Sequence, residues 1–269
     1  MKRVLAIIIT AAGIAAFAQD SPERVSVPFS DPSRPKMVKV SLINGGINVK
    51  GYSGKEVIVE SRSEGEHGRR HDAPPGMHRI DMNGAGLRVE ESENTITIGV
   101  ERVNNSGEIT VQVPVDTSLK LRTINGGNIV VEGVSGDLDV DNTNGAVTLS
   151  HVSGSAVAHA LNGRVLVTLD HVSPNKAMSF SSLNGDVDVT LPGDIRANVK
   201  MKTDNGEIYS DFDVKLDASG RQPIVEGNRS SGGKYKVRFD HGISGTINGG
   251  GPELQFTTFN GTIFIRKAK

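Results

Sequence analysis

Apolar and polar residues alternate along most of this chain, and the alternation is phased to Asn-Gly steps. After Asn144 the apolar residues are Val147 and Leu149; after Asn162 they are Val165, Val167 and Leu169. After Asn184 they are Val187, Val189 and Leu191, and after Asn260 they are Ile263 and Ile265. Asn44 starts the same phrase with Ile47 and Val49. Positions three and five past the asparagine share one face of a strand, because side chains alternate with a period of two. After Asn125 the pair is Ile129 and Val131, one residue late, and the extra Gly127 absorbs the difference as a β-bulge could. Asn-Gly occurs nine times, at Asn44, Asn83, Asn125, Asn144, Asn162, Asn184, Asn205, Asn248 and Asn260, with spacings of 19, 18, 22 and 21 from Asn125 to Asn205. A second turn signal follows the strands, Ser-Gly at Ser53, Ser135 and Ser153 and Ser-Pro at Ser173.

Each unit therefore reads turn, strand, turn, strand, and the chain is expected to be all-β. Two architectures fit. Asn-Gly between alternating strands signals a hairpin, because both turn residues tolerate φ > 0. That gives an antiparallel β-meander, whose single wide sheet leaves its apolar face uncovered. A β-solenoid, parallel and β-helix-like with repeats of ~20 residues, folds each unit over so that Val and Leu meet inside. It also places the asparagines at one corner, where they can stack in a hydrogen-bonded ladder. The solenoid is the preferred expectation.

Residues 24–60 carry strands around "RVSVPF", "KMVKVSLI" and "KEVIVES". The polar stretch Ser63–Arg79 reads as an exposed loop, and Leu216–Lys234 interrupts the repeat again. The domain reading is a signal peptide at 1–18 and one elongated β-repeat domain at 19–269, most regular from about 108 to 212.

The leader rests on Lys2 and Arg3, the apolar run Val4–Phe17 and the small-x-small site Ala16-Phe17-Ala18. It implies export to the periplasm, cell surface or exterior. There is no cysteine, hence no disulfide and no lipid-anchoring cysteine. No later run is long enough for a transmembrane helix. Losing Lys2 and Arg3 takes the net charge from −1 to −3, a balance that argues against nucleic acid as partner. Aromatic residues are few, with eight Phe, three Tyr and no Trp.

Candidate chemistry is sparse. Asp137, Asp139 and Asp141 resemble the start of an EF-hand loop, but Asn142 and Thr148 stand where Gly and Glu belong. Alternation makes them one solvated strand face, and Asp186 and Asp188 repeat the theme. His151 and His171, each followed by Val-Ser, are expected to stack on adjacent units as repeat equivalents rather than as a metal pair. His67, His71 and His78 cluster with Arg69, Arg70 and Asp72 in the polar loop, which reads as solvated. Ile247–Glu253 is glycine-rich but lacks the Lys-Ser/Thr of a phosphate-binding loop. No G-x-S-x-G elbow occurs, and serines sit beside glycine in turns. No catalytic, cofactor-binding or metal residue is assigned, and no cofactor is expected.

The run "EITVQVPVDTSLKLRTINGGNIVVEGVSGDLDVDNTNGAVTL", with its Val-Pro, its "TINGG" and its successive turns, resembles the bacterial putative-adhesin family of β-strand-repeat proteins. The resemblance is strongest from about Glu108 to Phe212. It implies an envelope or extracellular protein with a β-helix-like fold, and brings no catalytic residues. The functional expectation is a non-catalytic, exported, adhesin-like binding protein. Its partner would be an envelope component, a glycan or another protein, met by face positions such as Asp139, Arg164, Asp186 and Asp188. The alternatives are a polysaccharide-active β-helix enzyme and an envelope-stress component that binds membrane-active peptides.

Overall fold

The computed structural model describes residues 23–63, 87–100, 107–217, 223–226, 236–239 and 242–269. The leader, the Ser63–Arg79 loop beyond Ser63 with its three histidines, and most of Leu216–Lys234 lie outside the described residues. Among the described residues the protein is all-β, and no helix is long and apolar enough to cross a membrane.

The strands are short runs of alternating side chains, mostly bounded by turns. The N-terminal part holds β1 (Glu23–Pro28), β2 (Lys36–Asn44), β3 (Ile47–Tyr52), β4 (Glu56–Ser63), β5 (Leu87–Ser92), β6 (Thr95–Val100) and β7 (Gly107–Pro114). The middle holds β8 (Thr117–Asn125), β9 (Ile129–Glu132), β10 (Ser135–Asn142), β11 (Val147–Ala160), β12 (Val165–Val172), β13 (Met178–Asn184) and β14 (Val187–Leu191). Then come β15 (Ala197–Asn205), β16 (Ile208–Ser210), β17 (Val214–Leu216), β18 (Pro223–Glu226), β19 (Lys236–Phe239), β20 (Ile243–Ile247), β21 (Glu253–Asn260) and β22 (Ile263–Lys267).

The segments that meet at an Asn-Gly step are not hairpin partners: where the flanking strands pair at all, as β10 with β11 and β11 with β12, they pair in parallel through the far part of β11. β8 and β9 flank Asn125-Gly126, yet β8 pairs with β2 and β10 while β9 pairs with β3 and β11, all parallel. The chain thus steps between two parallel ladders. The first runs β6, β2, β8, β10, the second half of β11, β13, β21, β15. The second runs β7, β3, β9, the first half of β11, β12, β14, β22, β16. β11 passes through both and joins them into one 20-stranded sheet. Antiparallel strands extend the ends: β5 on β6, β4 and then β1 on β7, β20 and then β17 on β15.

The antiparallel meander is therefore overturned for these strands, and the corner glycines show why. Gly145, Gly163, Gly185, Gly206 and Gly261 lack the positive φ that a two-residue hairpin turn requires. What they need is closeness. A Cβ on Gly163 would stand 2.2 Å from the Gly145 carbonyl oxygen, and one on Gly185 would stand 2.4 Å from that of Gly163. Corners of neighbouring strand pairs stack in contact, and only glycine leaves room.

The asparagines beside them form the expected ladder. Each side-chain amide donates to the next: Asn205 to Asn260 (2.9 Å), Asn260 to Asn184 (2.8 Å), Asn184 to Asn162 (2.8 Å), Asn162 to Asn144 (2.9 Å) and Asn144 to Asn125 (3.2 Å). A second polar row lies just inside it, two residues before every ladder asparagine except Asn162, where Ala160 stands. Thr123, Ser182, Thr203 and Thr258 donate their hydroxyls, and Asn142 its amide, to the corner glycine carbonyls of Gly45, Gly163, Gly261, Gly185 and Gly127. These carbonyls are thereby satisfied at the core's edge, where an unmade bond costs about 1–3 kcal/mol.

The residues at Asn+3 and Asn+5 are buried as expected, from Ile47 and Val49 through Val165 and Val167 to Ile263 and Ile265. Both ladders bury their inward side chains in one cluster, which includes the stacked Phe180 and Phe256 rings, 5.5 Å apart. The expected bulge at Gly127 does not form. The extra residue is absorbed in the corner, and β9 keeps unbroken register with β11 from Ile129↔Val147 onward. The irregularity falls instead between Leu149 and Ser153 of β11, where His151 has φ 51°.

Strand pairs from β8–β9 to β13–β14 stack in chain order. The terminal pairs do not. β2–β3 lies between β6–β7 and β8–β9, and β21–β22 lies between β13–β14 and β15–β16.

Candidate functional site

Because inward positions are apolar, functional chemistry has to sit on the outer faces of the two ladders. On the first, Asp137, Asp139 and Asp141 project from β10 while Leu138 and Val140 are buried. Each carboxylate meets a different cation: Lys176 at 2.6 Å, Lys120 at 2.8 Å and Arg122 at 3.7 Å. The Lys176 ammonium, with the Ser155 hydroxyl, holds the Asp137 carboxyl below its usual range. This is a solvated strand face, as expected, and its carboxylates are ion-paired. No cluster of three or more metal-ligating side chains occurs among the described residues.

His151 and His171 do not stack. Register places His171 beside Ser153, while the His151 Nδ1 lies 3.2 Å from Asp170. The irregularity at His151 shifts the shared His-Val-Ser phrase out of spatial equivalence. The glycine-rich Ile247–Glu253 stretch turns the chain from β20 to β21. Asn248, Gly249 and Gly250 all have positive φ, and Asn248 donates to the Ile195 carbonyl at 2.8 Å.

The second ladder carries a more specific surface. Four residues past Asn144, Asn162, Asn184, Asn205 and Asn260 the side chains point outward, and register aligns Thr148, Leu166, Asp188, Phe264 and Tyr209 across β11, β12, β14, β22 and β16. The Tyr209 and Phe264 rings stack, with centroids 5.6 Å apart and planes 13° apart. Arg266 lies 4.9 Å from the Phe264 centroid and makes a bidentate pair with Asp188, at 2.7 and 3.0 Å. That carboxylate holds the guanidinium above its already high range. The Tyr209 hydroxyl donates to Glu207, which raises the phenol's pKa. Asp186 accepts the Thr262 backbone N–H at 2.8 Å, and Arg164 is exposed one row away.

The stack holds Tyr209 in place while leaving 52 % of it exposed. An aromatic pair contributes about 0.5–1.5 kcal/mol beyond area burial, and a surface cation–π contact about 0.5–1 kcal/mol. The result is a pre-oriented aromatic anchor edged by a fixed guanidinium and carboxylates. Chemically it can bind by stacking and by charge-assisted hydrogen bonds. Two separate exposed apolar pairs, Ile43 with Ile124 and Leu183 with Phe259, lie beside the asparagine ladder on the first face.

Of the face positions read from sequence, Asp186 and Asp188 belong to this surface and Arg164 flanks it, whereas Asp139 lies on the other ladder. Tyr209, Phe264, Arg266 and Glu207 were not singled out. The signal was available, since Tyr209 and Phe264 both stand four past an asparagine, at the outward phase.

A family model described as Toastrack DUF4097 matches residues 99–247. No curated protein matches the chain. Among solved structures, the chain is similar to a putative cell adhesion protein from Clostridium sporogenes, at 11% identity and a TM-score of 0.47, covering 92% of this chain and 100% of that one. It is also similar to a putative adhesin from Bacteroides fragilis, at 10% identity and a TM-score of 0.36, covering 93% and 98%.

Proposed function

The chain belongs to the Toastrack DUF4097 family, and from that premise we propose that it is an exported, non-catalytic, adhesin-like β-solenoid that binds an envelope component through the outer face of its second ladder. The resemblance read from Glu108 to Phe212 falls within the matched residues. The observation that carries the reading is the Tyr209–Phe264 stack with its Arg266–Asp188 pair. These groups gain nothing for the core, yet they are fixed in advance, and preorganisation of that kind lowers the cost of binding. The carboxylates a polysaccharide-cleaving enzyme would need are engaged: Asp186 by the Thr262 N–H and Asp188 by Arg266. That favours binding over turnover.

The test is a pull-down from native cell envelope with the full chain as bait, beside Tyr209→Ala and Arg266→Ala. The reading expects a reproducible partner that is lost or weakened at least tenfold in both variants, with thermal stability little changed. Equal capture by all three would sink it. Turnover on a glycan panel that vanished in Asp186→Asn/Asp188→Asn would overturn the non-catalytic part.

A further inference from the structure

We propose that β21–β22 exchanges between copies of this chain, so that in a dimer each copy's β21–β22 fills the slot between β13–β14 and β15–β16 of the other. The inference does not depend on the binding surface above.

The slot has two sides. β21 pairs with β13 on one edge and β15 on the other, and β22 likewise with β14 and β16. Asn260 bridges Asn184 and Asn205 in the asparagine ladder, and Phe256 stacks on Phe180. Every one of these contacts is a register match that an identical strand pair from another copy makes equally well. No disulfide ties the pair to its own body, because there is no cysteine.

The connection has the form of a hinge. β20 lies antiparallel on the outer side of β15, and β21 lies parallel on its inner side. The chain rounds the start of β15 through Asn248-Gly249-Gly250-Gly251-Pro252. Three successive positive-φ residues, Asn248 (49°), Gly249 (88°) and Gly250 (84°), make that reversal. Asparagine tolerates this left-handed region, and the glycines cross freely to extended backbone. Opening the turn gives up the Asn248 hydrogen bonds with Ile195 and Arg196 and points β21–β22 away from its own body. Exchange of an identical element about such a hinge is the low-cost route to a symmetric dimer. The outcome is set by concentration while the chain folds, since β21–β22 is buried on both edges once seated.

The test uses two single-cysteine chains, Ser181→Cys and Thr257→Cys. Register partners Ser181 and Thr257 face outward on β13 and β21, with Cα atoms about 4.8 Å apart across a parallel ladder. The two are mixed in denaturant, refolded together at rising concentration and treated with a short bismaleimide. A mixture of Asp141→Cys and His159→Cys, register partners in the middle of the stack, is carried in parallel. Exchange predicts a cross-linked heterodimer in the first mixture, rising with refolding concentration, at least tenfold above the second. Deleting Gly249 and Gly250, so that the chain cannot reverse, should turn the population dimeric by light scattering. Equal cross-linking in the two mixtures, or monomer at every refolding concentration, would overturn the proposal whether or not the deletion variant folds.

Discussion

The middle of the stack and its ends obey the same pairing rules but differ in how the chain reaches them. From β8 to β14, neighbouring strand pairs are neighbours in sequence, and ladder asparagines lie 18, 19 or 22 residues apart. At the ends, Asn44 pairs in register with Asn125, and Asn260 with Asn184, 76 residues away. Loop-closure entropy grows only logarithmically, so going from ~20 to ~80 residues costs about 1.2 kcal/mol. Two well-buried side chains offset that. The cost falls on rate instead, because non-local pairings form late. Contact separation alone therefore predicts that the middle forms first and the intercalated terminal pairs join later.

The sharpest way to break this comparison is to cut the same contact from both sides. Phe180→Ala and Phe256→Ala each remove one ring of the buried stack and should cost about 3–5 kcal/mol in urea unfolding. They should differ in place. Amide exchange in Phe256→Ala should accelerate first over 253–267, leaving 117–169 protected, whereas Phe180→Ala should lower protection through the middle as well. Identical exchange profiles would mean the two regions unfold as one unit.

Next in size are the corners. Gly163→Ala drives a Cβ to 2.2 Å from the Gly145 carbonyl oxygen and should cost about 1–3 kcal/mol through overpacking. Gly126 has φ 74° and nothing within 4 Å of its Cβ position, so Gly126→Ala carries backbone strain alone and should cost about 1–2 kcal/mol. A chemical-denaturation pair that reversed this order would refute stacking as the reason for corner glycines.

The ladder gives a smaller contrast. Asn162→Ala removes two amide bonds in the middle and Asn205→Ala one at the end, with about 0.5–1.5 kcal/mol per bond at most. The end variant should therefore lose about half as much in melting experiments.

Smallest is the acid response. The Asp137 pKa is lowered in the folded chain by Lys176 and Ser155. Its stabilisation is present above the unfolded pKa and is lost as pH falls through the folded value, within about pH 5 to 1. Lys176→Met should flatten the fall in melting temperature over that window, whereas an unchanged slope would show the pair contributes nothing.

Much of the strand phase was legible because it is a local property. The buried positions at Asn+3 and Asn+5, the asparagine ladder and the solvated Asp137–Asp141 face all follow from a period of two. Three expectations failed where local reading could not see a neighbour. Gly145, Gly163, Gly185, Gly206 and Gly261 were read for φ, but their role is contact with the next corner, while Gly45 and Gly126 do keep a positive φ. Gly127 was read as a bulge, but the corner had room for it. His151 and His171 matched in sequence, but the irregularity in β11 broke their spatial match. The inner row at Thr123, Asn142, Ser182, Thr203 and Thr258 was written as a polar residue two before Asn-Gly. Its meaning needs the carbonyl it satisfies, which belongs to a different strand pair.

By itself, then, the sequence determined that the protein is all-β, which side chains turn inward, and that asparagines line one corner. These depend on alternation and turn chemistry within a few residues. Only the tertiary structure decided which pair lies beside which, that the terminal pairs enter the stack out of order, and that Tyr209 meets Phe264, Arg266 and Asp188. The strand pairs carry nearly equivalent edges, so local pattern accepts many stacking orders. Which one forms depends on where the connections cross, and that is a property of the whole chain.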